Sequence, residues 1–231
     1  MTGQQPIDER AVFFFDIDNC LYPRSYKIHD IMAKLIDDYF MDKLDLPFEE
    51  ASTLHQRYYK EYGLAIEGLV RHHEIDPLEY NSKVDDALPI AEVIKPDPKL
   101  RSFLQSIDKS KVKLWLFTNA YKTHAARVIK ALGVEDLFDG VTFCDYGEPV
   151  LICKPKPEMF ERAMRDAGAI SKDKCYFIDD SPVNIKGAKE FGWKVTIQYI
   201  DPLDKSPATP AGHFEIREFD EIKTIAPEIF Q

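Results

Sequence analysis

The 231-residue sequence predicts an α/β protein, a Rossmann-like parallel sheet with an all-helical insert. Three observations predict it. Short apolar runs recur along the chain with helical patterns between them, the sequence form of right-handed crossovers and parallel strands. The first run, Ala11 to Phe15, is apolar on both alternating faces and so reads as a strand buried on both sides. Some 70 residues from Arg24 to Pro96 carry amphipathic periodicity without a convincing strand, too many for a simple crossover.

Taken in order, the first strand runs straight into Asp16-Ile17-Asp18-Asn19-Cys20. In the insert, residues 28–39, 48–62, 66–73 and 77–86 read as helices, broken by Pro47, Gly63 and Asp76-Pro77. A second strand, 112–117, ends in Thr118-Asn119, and residues 124–132 place Ala126, Ile129 and Leu132 at helical spacing before Gly133. A third strand is expected at 141–144. The loop Cys153-Lys154-Pro155-Lys156-Pro157 then opens a helix that closes at Gly168. A fourth strand, 175–178, leads into Asp179-Asp180-Ser181, a helix follows over 183–191, and a fifth strand covers 194–200. Residues 201–213 read as a surface loop, and 214–230 either return to the sheet edge or pack as a short helix. The expected division is 1–23 with 97–231 as the catalytic core and 24–96 as a helical cap. Leaving and re-entering beside Asp16, such a cap can close over that residue and exclude water.

Composition narrows the function classes. Hydrophobic residues make up 45% and charged residues 30%, and no apolar stretch approaches the ~20 residues needed to cross a bilayer. A net charge of −10 argues against a nucleic-acid backbone as partner, because phosphate contacts need clustered Lys and Arg. The first ten residues lack the apolar core of a secretory signal, so a cytoplasmic protein is expected, with the nucleus left open. Cys20, Cys144, Cys153 and Cys175 form no C-x-x-C pair and read as buried reduced thiols. His55, His72 and His73 lack an H-E-x-x-H frame and are assigned no metal role.

The chemistry is expected where parallel strands end, since α/β sheets gather ligands at their carboxyl edge. Asp16 and Asp18 repel each other unless a cation sits between them, and two hard oxygen donors on one turn suit Mg²⁺. Taken singly, Asp179-Asp180-Ser181 could cap a helix, Thr118-Asn119 could be a turn, and Lys154 could be a surface lysine. Together, two acidic pairs, a hydroxyl, an amide and a lysine make a phosphoryl-transfer set.

In these four signatures, and in their order, the sequence resembles the haloacid dehalogenase superfamily in its Mg²⁺-dependent phosphatase branch. The insert stands where that superfamily carries a C1-type helical cap. The resemblance implies that Asp16 is the nucleophile, forming an aspartyl-phosphate, and that Asp18 is the general acid and then base. It implies Mg²⁺ held by Asp16, the backbone carbonyl of Asp18 and Asp180, with Asp179 on the ion or one step behind it. Thr118 and the amides near Asn119 would bind phosphate oxygens. Lys154 would balance their charge, leaving Lys156 at the variable position of Lys-Pro-x-Pro. Asp18 counts against the dehalogenase and transport-ATPase branches.

A nearer resemblance, to the yeast and plant pyrimidine 5′-nucleotidase branch, is carried by Phe15 to Tyr22, Tyr58 to Ala65 and Leu116 to Ala120. It implies a small phosphate ester as partner, a nucleoside 5′-monophosphate. Tyr62-Gly63 would then break a cap helix into a loop facing the catalytic edge, where a tyrosine can stack on a base and Lys60 or Arg24 can meet charge. Tyr58 and Tyr59 are expected to pack inside the cap. A sugar phosphate or lysophospholipid phosphate, a phosphoryl mutase and a non-catalytic phospho-binding module remain the alternatives.

Overall fold

A computed structural model describes residues 8–231. Its strands are β1 (Ala11–Phe15), β2 (Val112–Phe117), β3 (Gly140–Thr142), β4 (Cys175–Asp179), β5 (Val195–Tyr199) and β6 (Phe214–Ile216). They form one sheet in the order β3-β2-β1-β4-β5-β6, with every neighbouring pair parallel. The α/β class and the parallel sheet are therefore as the sequence predicts. β3 falls one residue earlier than expected and is shorter, and the tail realises both expected outcomes in succession. It adds β6 to the sheet edge and then forms the short helix Ile222–Ile225.

Alternation along the strands builds two separate cores. Phe13 and Phe15 face one side with Leu114, Leu116, Tyr176 and Ile178, whereas Val12 and Phe14 face the other with Phe117, Cys175 and Phe177. The first side is covered by helices Pro98–Ser106 and Lys122–Leu132, through Leu100, Phe103, Ala125 and Val128. Helices Pro157–Ala167 and Pro182–Phe191 cover the second, through Met159, Phe160, Ile185 and Ala188. Trp193 stacks on Phe14 there at 4.6 Å and 8°. Each such side chain taken fully out of water stabilises the fold by about 1.5–3 kcal/mol, so β1 alone commits the sheet centre.

Residues 24–96, between β1 and β2, include four longer helices, α1 (Ile28–Leu44), α2 (Phe48–Tyr62), α3 (Ala65–His72) and α4 (Pro77–Lys83), and the single turn Ile90–Val93. Their apolar faces share a cluster of Ile36, Phe40, Tyr58, Ile66, Leu69 and Tyr80 with Tyr121, Tyr146 and Cys153 from loops above the sheet. Tyr58 is buried in it as expected. Helix Pro98–Ser106 was not anticipated, although its start was readable. Asp97 accepts hydrogen bonds from the Lys99 and Leu100 amides at 2.8 and 3.0 Å, and Pro98 occupies the first helical position.

All four cysteines are buried and free. Among the described residues no helix is long and apolar enough to cross a membrane.

Candidate active site

Register decides which side chains meet. Phe15 lies opposite Leu116 on one side and Ile178 on the other, so the next residue of each strand, Asp16, Phe117 and Asp179, emerges side by side. The Asp16 amide donates to the Ile178 carbonyl at 3.0 Å. Beyond it the chain turns tightly, with the Cys20 and Leu21 amides both donating to Ile17 O. Asn19 takes the left-handed conformation (φ 59°) that this turn requires and that asparagine tolerates.

Lys154 enters from the loop before helix Pro157–Ala167. Its ammonium is buried and donates three bonds of 2.7 Å, to Asp16 Oδ1, Asp179 Oδ2 and the Phe117 carbonyl. Asn119 staples that loop to the sheet. Its Oδ1 accepts from the Lys154 amide at 2.7 Å, and its Nδ2 donates to the Lys154 carbonyl at 3.0 Å. The Asn119 side chain is therefore directed at the lysine's backbone. Thr118 is buried, and its Oγ1 accepts from the Ala120 amide at 3.0 Å, which leaves the hydroxyl proton free to donate.

Asp179 is also fully engaged, accepting from the Ser181 amide at 2.8 Å and from Asn184 Nδ2 at 3.1 and 3.2 Å, besides Lys154. Asn184 carries no signal in the sequence beyond helical spacing after Asp180. Asp180 is the freer carboxylate, with Arg24 Nη2 3.9 Å away. One carboxylate oxygen from each of Asp16, Asp179 and Asp180 lies within 4.8 Å of the other two.

One ammonium thus faces three carboxylates, and the ionisation directions reflect the imbalance. Burial pushes the Asp16 carboxyl well up, Lys154 opposing it and Asp179 and Asp180 adding to it. Asp180 is raised by burial and by Asp179. Burial works against the Lys154 charge, but Asp16 and Asp179 outweigh it and raise the ammonium. A protonated Asp16 conflicts with a charged Lys154 at 2.7 Å. A hard cation beside Asp16 and Asp180 would offset the burial and hold the Asp16 carboxylate ionised against Lys154. All-oxygen donors on a negative, partly open site fit a divalent cation of the Mg²⁺ type.

Asp18 points elsewhere, with one oxygen bonded by Tyr22 Oη at 2.6 Å and by His124 Nε2 at 2.7 Å. Burial favours its neutral form, but these two donors outweigh that and lower its pKa. Neither donor was singled out from the sequence, since each is recognisable only by contact.

Of the residues expected in the insert, Gly63 caps α2 in a left-handed conformation (φ 85°), and a Cβ there would lie 3.6 Å from the Lys154 carbonyl. Tyr62 is turned into the helices, its hydroxyl 2.7 Å from His72 Nε2, and Lys60 is exposed. Tyr59 departs from its expected packing and is 55% exposed. Desolvation and the charges of Asp180 and Asp179, with Arg24 opposing, raise its phenol, which puts the ring within electrostatic reach of the acidic cluster. Arg24 bonds Asp204 at 2.8 Å and borders a cleft of about 170 Å³ lined also by Asn19, Asp180 and Gln198. Lys156 turns away from the cluster to Glu67, at 2.6 Å. A larger surface cleft of about 640 Å³, from Glu148 to Asp166, includes none of these residues.

With this geometry the comparisons with known proteins agree. The model of haloacid dehalogenase-like hydrolases matches residues 11–192. The chain belongs to that family. It is 44% identical over 204 residues to Phosphate metabolism protein 8 of Saccharomyces cerevisiae, covering 85% of this chain and 64% of that protein. A Phosphorylated carbohydrates phosphatase of Thermotoga maritima is 24% identical over 140 residues, 60% of this chain and 63% of its own. The chain thus spans somewhat under two thirds of these relatives. Among solved structures, the magnesium-bound HAD-hydrolase YfnB of Bacillus subtilis superposes with a TM-score of 0.61 at 16% identity, over 94% of this chain and 98% of that one. A β-phosphoglucomutase structure from Thermotoga maritima gives 0.59 at 19%, over 95% of this chain and 100% of that one. At such identities these likenesses establish the fold.

Proposed function

We propose that the chain is a Mg²⁺-dependent phosphomonoesterase working through an aspartyl-phosphate on Asp16, with nucleoside 5′-monophosphates as its substrate class. One observation carries the reaction type: a buried Asp16 gripped by Lys154 at the end of the central strand, with Asp179 and Asp180 alongside. Asp16, Asp180 and the Asp18 backbone carbonyl would hold the ion, and Asp179 would orient Lys154. Bound there, Mg²⁺ supplies positive charge to the phosphate oxygens and keeps Asp16 ionised.

The protein groups then divide the work. Asp16 attacks phosphorus in line, while Lys154 and the Thr118 hydroxyl stabilise the charge gathering on the phosphoryl oxygens. An arriving phosphate dianion raises the Asp18 carboxyl, because like charges disfavour ionisation, and readies it to protonate the leaving alcohol. With the alcohol gone, Asp18 accepts a proton from water as that water attacks the aspartyl-phosphate. The helical insert, taken as residues 24–96, acts as a cap.

Support for a nucleotide comes from the half-exposed Tyr59, an aromatic face for a base, and from Arg24 as a cation beside Asp180, with Lys60 exposed one residue after Tyr59. Gly63 keeps the cap loop close to Lys154, and Tyr62 braces that loop through His72. A phosphorylated carbohydrate is the second reading, favoured by the similarity to the Thermotoga phosphatase. Phosphate release measured with Mg²⁺ on nucleoside monophosphates, sugar phosphates and lysophosphatidate separates them. Turnover of nucleotides ahead of the others is expected, and failure on every nucleotide removes that substrate class.

A further inference from the structure

Two donors converge on a single oxygen of Asp18. Tyr22 Oη reaches Oδ1 at 2.6 Å and His124 Nε2 reaches it at 2.7 Å, from the two sides of the insert in sequence. His124 stands in the first turn of helix Lys122–Leu132 with none of its surface exposed, and Tyr22 is buried on the turn after β1. Asp18 itself keeps 26% of its side chain open. No side chain of the described residues bonds Oδ2. Burying a histidine with its Nδ1 unpartnered costs stability, and His124 bears that cost while its other ring nitrogen is held on Asp18.

We propose that His124 is a positioning residue for proton delivery: with Tyr22 it locks Oδ1 of Asp18, so that Oδ2 is the oxygen presented to the departing alcohol. This rests on the phosphomonoesterase reading above. In the first half-reaction the bond between phosphorus and Asp16 forms as the bond to the ester oxygen breaks, and the proton on Asp18 Oδ2 moves to that oxygen. In the second half-reaction a bond forms between water oxygen and phosphorus as the bond to Asp16 breaks, releasing inorganic phosphate and the Asp16 carboxylate, and a proton of that water passes to Asp18. His124 touches neither phosphorus nor the leaving group and acts only through the orientation of Asp18.

An ester that needs no proton tests this. p-Nitrophenolate leaves as an anion, whereas the alkoxide of a nucleoside 5′-monophosphate, or of any alkyl phosphate, does not. His124→Ala is expected to lower kcat on the best alkyl ester about 10²-fold, in the range of general acid catalysis, with KM little changed. On p-nitrophenyl phosphate the loss is expected to be at least tenfold smaller. His124→Gln, which keeps a donor near the Nε2 position, recovers most of the difference. Adding His124→Ala to Asp18→Asn should cost little more, since residues acting as one unit are not additive.

Should His124→Ala fail to fold, Tyr22→Phe removes the other donor and is expected to give the same selective loss. Equal losses on both esters in a folded variant, or additive losses with Asp18→Asn, overturn the proposal while leaving the phosphatase reading intact. A wild-type chain inactive on both esters removes that reading and this proposal together.

Discussion

Two ion clusters, built from lysines only two residues apart, are mirror images in charge. Lys154 is a single cation shared by Asp16 and Asp179. Lys156 points the other way and, with Arg71, shares the single anion Glu67 of α3. In the first cluster Lys154, Asp16 and Asp179 keep between 1% and 9% of their side-chain surface, only Asp180 beside them reaches solvent, and a cation is one short. In the second, Glu67 is 3% exposed, but the Lys156 and Arg71 side chains keep 32% and 50% of their surface. Surplus charge is therefore dissipated into solvent at the insert and stored at the sheet edge. A stored imbalance is what a site needs if ligands of both signs are to enter it.

The largest effect that would break this contrast is loss of Asp16, the proposed nucleophile. Asp16→Asn is expected to reduce phosphate release by at least about 10³-fold with an unchanged circular dichroism spectrum, and retained turnover would exclude Asp16 from the chemistry. Next comes Lys154→Met, which leaves two carboxylates buried without their cation. A urea titration should find about 3–5 kcal/mol of lost stability, and combining it with Asp16→Asn should restore part of the loss.

Glu67→Gln removes the anion of the open cluster, whose cations can turn to water. Only about 1–2 kcal/mol should be lost in the same titration, and a loss as large as that of Lys154→Met would erase the distinction drawn here. At the bottom of the scale, the exposed pair Lys99–Glu218 should matter little although its contact is short. Lys99→Ala is expected to leave the melting midpoint unchanged.

The contrast also separates what the sequence makes legible from what it hides. β1 and β4 are apolar runs and β2 is apolar but for Lys113, and each leads into polar residues at or beside the cluster, so periodicity and position together point to both strand and site. β6 is three residues long with its Phe214 41% exposed, too short and too wet to stand out in residues 214–230. Helix Pro98–Ser106 had a start signal in Asp97-Pro98 that strand spacing overshadowed.

Contacts between distant residues left no local trace. His124 meets Asp18 across 106 positions, and Glu67 meets Lys156 across 89. In both cases one partner looks from the sequence like an ordinary helical residue. Tyr59 and Tyr62 show the same limit, because helical spacing gives the separation of two rings but not which of them the neighbouring helix will cover.

The Asn119 staple has one further consequence. By holding both the amide and the carbonyl of Lys154, it indexes the ammonium to the end of β2, whatever path the chain takes to reach it. Residues 145–150, most of them at the surface, are thereby released from any duty of aim. Lineages could lengthen, shorten or recompose that stretch, and so reshape the rim, while the lysine behind it stays in place.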